Sequence, residues 1–316
     1  MRSDSRTSPW VDTLARVFKE AEQPQQTERA ATAIINADCL AGLKQLGNES
    51  VQCCVTSPPY WALRDYQIDG QLGLERTPGA YIDRMVEVFA EVRRVLRKDG
   101  TLWLNIGDTY NAYNANRGAS TSFADGRSGR HHPRFQRGLT DKGLKNKDMI
   151  GIPWRLAIAL QADGWFIRQD IIWHKPNHMP ESVADRCTRS HEHVFLLTKA
   201  ARYRFDRSAL PGRCPDVWSV NSSSFRGAHF ATMPVELAER CIRAGVGVGG
   251  SGVVLDPFLG SGTTAVAATR CKCEWIGIEL SPEFVSIAEQ RIRGEDRQAV
   301  PRRTDRGDTR QFALSL

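Results

Sequence analysis

The spacing of apolar positions changes repeatedly along this chain, and each change marks an element. Val51–Thr56 is a short apolar run rich in strand-forming residues. Over 81–97 the positions Ile82, Met85, Val86, Phe89, Val92 and Leu96 recur at helical spacing, and Asp99-Gly100 is a stop signal. Thr101–Gly107 reads as a strand, 153–162 as a helix, and 165–173 and 193–198 as strands. Helices are expected over 234–244, 261–270 and 282–293, with strands at 253–256 and 275–280 between them. Strands alternating with helices predict a largely parallel sheet with helices on its faces. No internal repeat interrupts the pattern.

Three stretches fall outside that rhythm. Residues 111–147 are built from Gly, Ser, Asn and Arg without an apolar period, and so long a loop inside a domain is either functional or disordered. Residues 1–30 carry a small amphipathic patch, Trp10, Leu14, Val17 and Phe18, followed by Gln23-Pro24-Gln25-Gln26. The patch suits a helix docked on the body or on a second subunit. Residues 294–316 are polar and Arg-rich, and loose order is expected there. The organisation expected is an N-terminal extension (1–30), one domain (31–293) and a flexible tail (294–316).

Composition narrows the class. With 316 residues, 41% of them hydrophobic and 25% charged, the chain can bury a sizeable core. No apolar run approaches the ~20 residues of a membrane span, and the first residues lack the apolar centre of a secretory signal. A cytoplasmic protein is expected, without a membrane partner. Its eight cysteines, at 39, 53, 54, 187, 214, 241, 271 and 273, show neither Cys-x-x-Cys nor paired ligand spacing, so no metal site is expected. The net charge is +7, and 111–147 alone holds eight basic side chains against two acidic ones. Arg127, Arg130, Arg134 and Arg137 there interleave with Phe123, His131, His132 and Phe135, a pattern suited to phosphate contacts. A solvated insertion is the plainer alternative.

Two motifs carry chemistry. In Val253-Val-Leu-Asp-Pro-Phe-Leu-Gly-Ser-Gly-Thr-Thr264 an apolar strand ends in Asp256, turns at Gly260 and Gly262, and opens a helix. Glycines admit close approach of a ligand, and the free N–H groups of a helix start favour an anion. The next strand ends in Glu279, an acid suited to a ribose diol. A structural strand–turn–helix would explain a lone Gly-x-Gly, and a nicotinamide enzyme is a competitor. The latter's G-x-G-x-x-G is not met, since Thr263-Thr264-Ala265 follow Gly262. The second motif, Thr56-Ser-Pro-Pro-Tyr-Trp61, directly follows the strand Val51–Val55. Two prolines cannot continue a central strand, so the chain leaves the sheet as a stiff turn with an aromatic behind it. Pro-Pro-Tyr also occurs in surface ligands, but a site at a buried strand's end argues against that reading.

Taken together, Ser57-Pro58-Pro59-Tyr60 and Asp256–Thr264 resemble the DNA methyltransferases that modify the exocyclic amines of adenine N6 or cytosine N4. The resemblance runs from about Ile34 to Arg293 and includes Ala37-Asp-Cys-Leu40, Thr101–Asp108, Asp170-Ile-Ile-Trp-His-Lys175 and His229-Phe-Ala-Thr-Met-Pro234. The tetrad precedes the glycines, which resembles the permuted β group and favours DNA over RNA or protein as substrate. The resemblance implies a Rossmann-like α/β methyltransferase fold with target-recognition insertions, S-adenosyl-L-methionine as cofactor, double-stranded DNA as partner and a homodimer. It assigns Asp38 to the cofactor's adenine, Asp256, Phe258, Gly260, Gly262 and Thr263 to its methionine part, and Glu279 to its ribose. Phe230 and Pro234 would lie along the cofactor pocket. Ser57 and the Pro58 carbonyl would accept from the target amine, Pro59 would stiffen the turn, and Tyr60 would stack on the flipped base. The span 177–226, with Arg186, Arg189, Arg202, Arg204, Arg207 and Arg213, resembles the target-recognition region.

These residue types suit the reaction. The lone pair of an exocyclic amine is delocalised into its ring, so acceptors aimed at its hydrogens help the nitrogen become tetrahedral as charge develops. A methyl sulfonium is already activated, so a positioned in-line displacement suffices, and the base must leave the stack to reach it. No Pro-Cys nucleophile of the cytosine-C5 type is present. Adenine enzymes often carry Asp where this chain has Ser57, and Ser is common among cytosine-N4 enzymes. The larger number of adenine enzymes nevertheless favours adenine N6, with cytosine N4 as the alternative. A methyltransferase acting on RNA or protein and a non-catalytic DNA-binding protein remain rival classes. If the basic loop binds DNA, reversing the charge of Arg127, Arg130, Arg134 and Arg137 should weaken binding. It should also flatten the salt dependence by about one unit of log–log slope for each phosphate no longer neutralised, measured by fluorescence anisotropy over a salt series. An unchanged slope would leave the loop a bystander.

Overall fold

Every side chain from Val51 to Thr56 is buried, which requires a covering layer on both faces of the strand. The computed structural model describes residues 32–66, 68–111, 143–210, 212, 214–225 and 230–294. The first half holds β1 (Ala33–Asn36), α1 (Cys39–Lys44), β2 (Val51–Thr56), α2 (Pro78–Val95) and β3 (Leu96–Ile106). Next come α3 (Ile152–Ala162), β4 (Phe166–His174), β5 (His191–Thr198) and the short β6 (Val217–Ser219). The remainder holds β7 (Ser223–Phe225), β8 (Phe230–Thr232), α4 (Val235–Val246), β9 (Val253–Asp256), α5 (Thr263–Arg270), β10 (Glu274–Glu279) and α6 (Pro282–Arg293).

Eight strands form one sheet in the order β1-β10-β9-β2-β3-β5-β4-β6, while β7 and β8 pair separately. The run from β1 to β3 is parallel throughout, and β5 is inserted antiparallel to both β3 and β4. The sheet is therefore largely parallel, as the alternating pattern predicts. On one face Leu43, Phe89, Val92, Leu156 and Leu160, from α1, α2 and α3, fill the core. On the other, Leu237, Ile242, Ala265, Ala268 and Ala288, from α4, α5 and α6, do so. The small residues of α5 let that helix lie close to the sheet, where the glycine turn must sit.

The observed elements depart from the sequence pattern in three places. First, α2 begins at Pro78, where the Thr77 side chain accepts from the Ala80 N–H, and it ends at Val95. Leu96 passes straight into β3, and Asp99-Gly100 lies within the strand. The turn signal is absorbed by a register shift between Val51 and Cys53, where extra residues of β3 bow out of the β2 pairing. Second, β1 and α1, read from sequence only as a motif, form the outermost strand and its capping helix. Third, β6, β7 and β8 stand where no strand is expected, and the span 177–226 divides around β5, the largely buried strand expected at 193–198. Eight extended residues carry the chain roughly 26 Å across the sheet. Arg204 and Arg207 consequently stand at the edge marked by Asp99, opposite the end of β2: the Arg204 N–H donates to the Asp99 carbonyl, and Asp206 bonds Ala244.

Residues 112–142, with Arg127, Arg130, Arg134 and Arg137, lie outside the described residues, as do Arg213, the Trp10–Phe18 patch and 295–316. The base of the long loop is well tied. Asn111 donates from Nδ2 to the Leu144 carbonyl at 2.9 Å, and its backbone exchanges hydrogen bonds with Lys147 and Asp148. Asp108 accepts from the N–H groups of Gly151 and Ile152 and so caps α3.

Gly245 tests how tightly α4 is packed on the sheet. A Cβ there would stand 2.8 Å from Cys53 Sγ and 3.0 Å from Trp103 Nε1. Gly245→Ala should destabilise by about 1–3 kcal/mol in urea unfolding, the usual penalty of overpacking. Gly47→Ala, where a Cβ meets nothing within 4 Å, should stay within about 0.5 kcal/mol. Equal values for the two would refute this account of the α4 interface.

Candidate active site

The C-terminal ends of β1, β10, β9, β2, β3 and β4 and the start of β5 all open onto one cleft of about 320 Å³. Ser57, Pro58, Pro59 and Tyr60 form its centre. Their turn is held from outside: Tyr81 Oη donates to the Pro59 carbonyl at 2.8 Å, the Trp61 indole N–H donates to the Glu75 carbonyl, and Ala62 bonds Gly73. The Pro59 carbonyl thus already has a donor. The Tyr60 ring lies against Gly107, where a Cβ would come within 2.7 Å of Tyr60 Cε2.

Beneath the tetrad lies a polar network. Tyr60 Oη donates to Glu192 Oε2 at 2.8 Å, Asn105 Nδ2 donates to the same oxygen at 3.1 Å, and Lys175 Nζ reaches Glu192 Oε1 at 2.5 Å. Ser57 Oγ stands 3.4 Å from Tyr60 Oη. Burial alone would raise the Glu192 carboxyl, but the Lys175 charge and the hydrogen bonds from Lys175, Tyr60 and Asn105 hold it below the usual carboxylate range. Burial, then the neighbouring Glu192 charge, pushes the Tyr60 phenol far above its usual range, so it keeps its proton.

The other half of the cleft is the glycine turn. Asp256 is buried, and its Oδ1 accepts from Thr56 Oγ1 at 2.7 Å and from the Phe258 N–H at 3.0 Å. Burial raises its pKa, against the opposing hydrogen bonds from Thr56, Thr264 and Phe258. Gly262, at φ +83°, lies behind the turn, where a Cβ would press on Ala288. Arg291 fastens the turn, donating from Nη1 to Ser261 Oγ and Thr263 Oγ1, each at 2.9 Å. Glu279 accepts from the Gly260 N–H through Oε2 and from the Ser281 N–H through Oε1, both at 2.8 Å. Burial raises its pKa too. On the far wall Asp38 caps α1 by accepting from the Ala41 N–H.

A family model described as DNA methylase matches residues 51–290. The Type II methyltransferase M.Cfr9I of Citrobacter freundii is 46% identical over 290 residues, covering 89% of this chain and 94% of its own. The chain belongs to the N6-adenine/N4-cytosine DNA methylase family. M.SmaI, a Type II methyltransferase of Serratia marcescens, is 44% identical over 286 residues, covering 87% of this methylase and 96% of itself. Among solved folds, PvuII DNA methyltransferase (cytosine-N4-specific) superposes with a TM-score of 0.63 at 22% identity, covering 83% of the methylase and 86% of its own chain. A putative DNA modification methylase from Thermus thermophilus, complexed with S-adenosyl-L-methionine, gives 0.57 at 27% identity, covering 84% and 96%. This chain is a Type II DNA methyltransferase that uses S-adenosyl-L-methionine. Among its described residues no helix is long and apolar enough to cross a membrane.

The residues present fit that cofactor. Glu279 is a half-buried acid at the end of β10, α5 opens beside Gly260 and Thr263, and Asp38 closes the far wall. Among the described residues Thr232 Oγ1, on the cleft lining, is buried without a hydrogen-bond partner, a polar atom that a ligand can satisfy. The cleft brings together Asp38, Ser57, Pro58, Pro59, Tyr60, Asp256, Phe258, Gly260, Thr263 and Glu279. Gly262 stays behind the turn, and Pro234 borders a neighbouring depression shared with Asn221 and Val235. In that segment Thr232 and Met233 face the cleft, while the Phe230 side chain lies outside the described residues. Sequence reading did not single out Asn105, Lys175, Glu192, Tyr81 or Arg291. Asn105 and Lys175 sat inside motifs noted for resemblance, and Glu192 was visible only as an acid heading a strand.

Substitutions on the two halves should separate cleanly. Glu279→Ala should weaken cofactor binding by about 1–3 kcal/mol in calorimetry, the cost of a charge-assisted contact. Tyr60→Ala should remove most turnover with the cofactor Kd nearly unchanged. Equal losses of affinity from both would contradict this division.

Proposed function

We infer that the methylase extracts one base from a DNA duplex and methylates the N4 amine of cytosine. The observation that carries the choice of base is Ser57. The first acceptor of the tetrad is a neutral hydroxyl, and the adjacent carboxylate, Glu192, is committed to Lys175, Tyr60 and Asn105. A serine there is common among cytosine-N4 enzymes, and the PvuII enzyme, named as cytosine-N4-specific, shares the fold. Both arguments outweigh the larger number of adenine enzymes that favours N6 on sequence alone.

In this reading the amine donates one hydrogen to Ser57 Oγ and one to the Pro58 carbonyl. The Pro59 carbonyl is taken by Tyr81, which leaves Pro58 as the backbone acceptor of the turn. Two acceptors below the amine turn its lone pair toward the cofactor side of the cleft, where Asp256 and the glycine turn lie. S-adenosyl-L-methionine supplies an activated methyl group. Tyr60, fixed by Glu192 and seated on Gly107, offers its ring to the base. The enclosing Pro58 and Trp61 are buried and keep water from the turn's inner side. Whether 112–142 adds phosphate contacts is what the salt series on its arginines decides.

Genomic DNA methylated by the purified enzyme, digested to nucleosides and analysed by mass spectrometry, should contain N4-methylcytosine. N6-methyladenine alone would overturn the base assignment. Sequencing of the modified positions then gives the recognition site.

A further inference from the structure

Both amino bases present the same local pattern: an amine, and beside it a ring nitrogen with a lone pair and no hydrogen. Ser57 Oγ and the Pro58 carbonyl answer the amine as acceptors, and the Ser57 proton is directed at Tyr60 Oη, 3.4 Å away, so the ring nitrogen needs a donor from elsewhere. A buried acceptor without one weakens an interaction on the order of tenfold to a hundredfold. The neighbouring donors are mostly spent. Asn105 gives its amide hydrogens to Glu192 and to the His193 carbonyl, and Tyr60 gives its only proton to Glu192.

Lys175 is different. It follows the last residue of β4, its Nζ lies 4.3 Å from the Trp173 ring centroid, and it lines the cleft together with Trp173, Ser57 and Pro58. An ammonium has three N–H groups, of which Glu192 takes one. We propose that Lys175 donates to the ring nitrogen beside the target amine, so that tetrad and lysine read amine and ring nitrogen as a pair. Glu192 is the positioning residue of this arrangement, holding Lys175 with one oxygen and Tyr60 with the other. The inference rests on the reading that a flipped amino base enters this cleft, and it holds for either base.

Electrostatics explain why the lysine comes with an acid. An isolated ammonium would oppose both a sulfonium cofactor and an amine gaining positive charge. Ionised Glu192 makes the pair neutral overall while leaving its N–H donors in place. The Trp173 face adds a cation–π contact that fixes the ammonium without consuming an N–H.

The test compares single-turnover methylation of two duplexes that share the mapped recognition site. One carries the natural target base, and the other carries an analogue with C–H in place of the ring nitrogen: 3-deazacytosine, or 1-deazaadenine if the product is N6-methyladenine. The analogue's intrinsic reactivity is common to all enzymes and cancels when their natural-to-analogue rate ratios are compared. The wild-type ratio should exceed that of Lys175→Met by about tenfold or more. Because Lys175→Met leaves Glu192 buried and unpaired, Lys175→Met/Glu192→Gln is measured beside it, with cofactor binding by calorimetry as the check on folding. Its ratio should match that of the single variant. Equal ratios in wild type and variants overturn the role of Lys175 alone. A wild type that methylates no duplex base overturns the flipped-base reading and this one with it.

Discussion

Thr56 and Asp256 are 200 positions apart in the chain, and between them runs a buried hydrogen bond of 2.7 Å. The ends of β2 and β9 are held side by side by it, just beyond the ladder that pairs Cys53 with Val254 and Cys54 with Leu255. A second bond, from Thr264 Oγ1 to the Val55 carbonyl, ties the first turn of α5 to the same strand. The Ser57–Tyr60 turn leaves from one side of this joint and the glycine turn from the other. A displacement between two reacting groups degrades an in-line transfer steeply, so on the proposed reading this joint sets the geometry between base and cofactor. Burial disfavours the ionised Asp256, and the Thr56 hydroxyl and Phe258 N–H are the groups that make it tolerable there.

The sheet then determines what can reach the cleft. In open α/β sheets ligands gather beyond the carboxyl ends of the strands, and β1, β10, β9, β2, β3 and β4 obey that rule. β5 meets the same edge in the opposite sense. Being antiparallel to β3, with His193 opposite Ile106, it brings its beginning and not its end to the cleft. Glu192 therefore sits beside Asn105 and Tyr60 although it precedes most of its strand. A single reversed strand thus introduces a half-buried charge under a turn that contains none.

Much of the fold was legible because its signals are local. Apolar period and Gly/Pro punctuation located most of the helices and strands, and prolines after β2 and glycines after β9 marked both turns. What failed was also local evidence overruled by pairing. Asp99-Gly100 looks like a stop, but the neighbouring β2 gives the residues around it a partner. The apolar run 193–198 is legible as a strand, whereas β6, β7 and β8 after it are three-residue strands defined by their pairing and not by any apolar run. The site shows the same division. Ser57, Tyr60, Asp256 and Glu279 announce themselves beside prolines, glycines or strand ends, whereas Asn105, Lys175, Tyr81 and Arg291 matter only through partners remote in sequence. Nothing in the sequence around Tyr81 shows that its hydroxyl holds the Pro59 carbonyl.

The placement of β9 and β10 in the sheet also concerns how the protein is made. A ribosome delivers β1, β2 and β3 long before either strand that separates β1 from β2 in space. Until those strands emerge, β1 has no partner in the sheet and β2 has an open edge, a template for pairing with other chains. The tetrad is likewise synthesised early, without Asp256, Glu279 or the glycine turn beside it. A nascent chain thus carries the tetrad side of the cleft without the side lined by Asp256, Gly260 and Glu279. The cleft is completed late, when β9 and β10, within the last forty or so residues of the folded region, enter between β1 and β2.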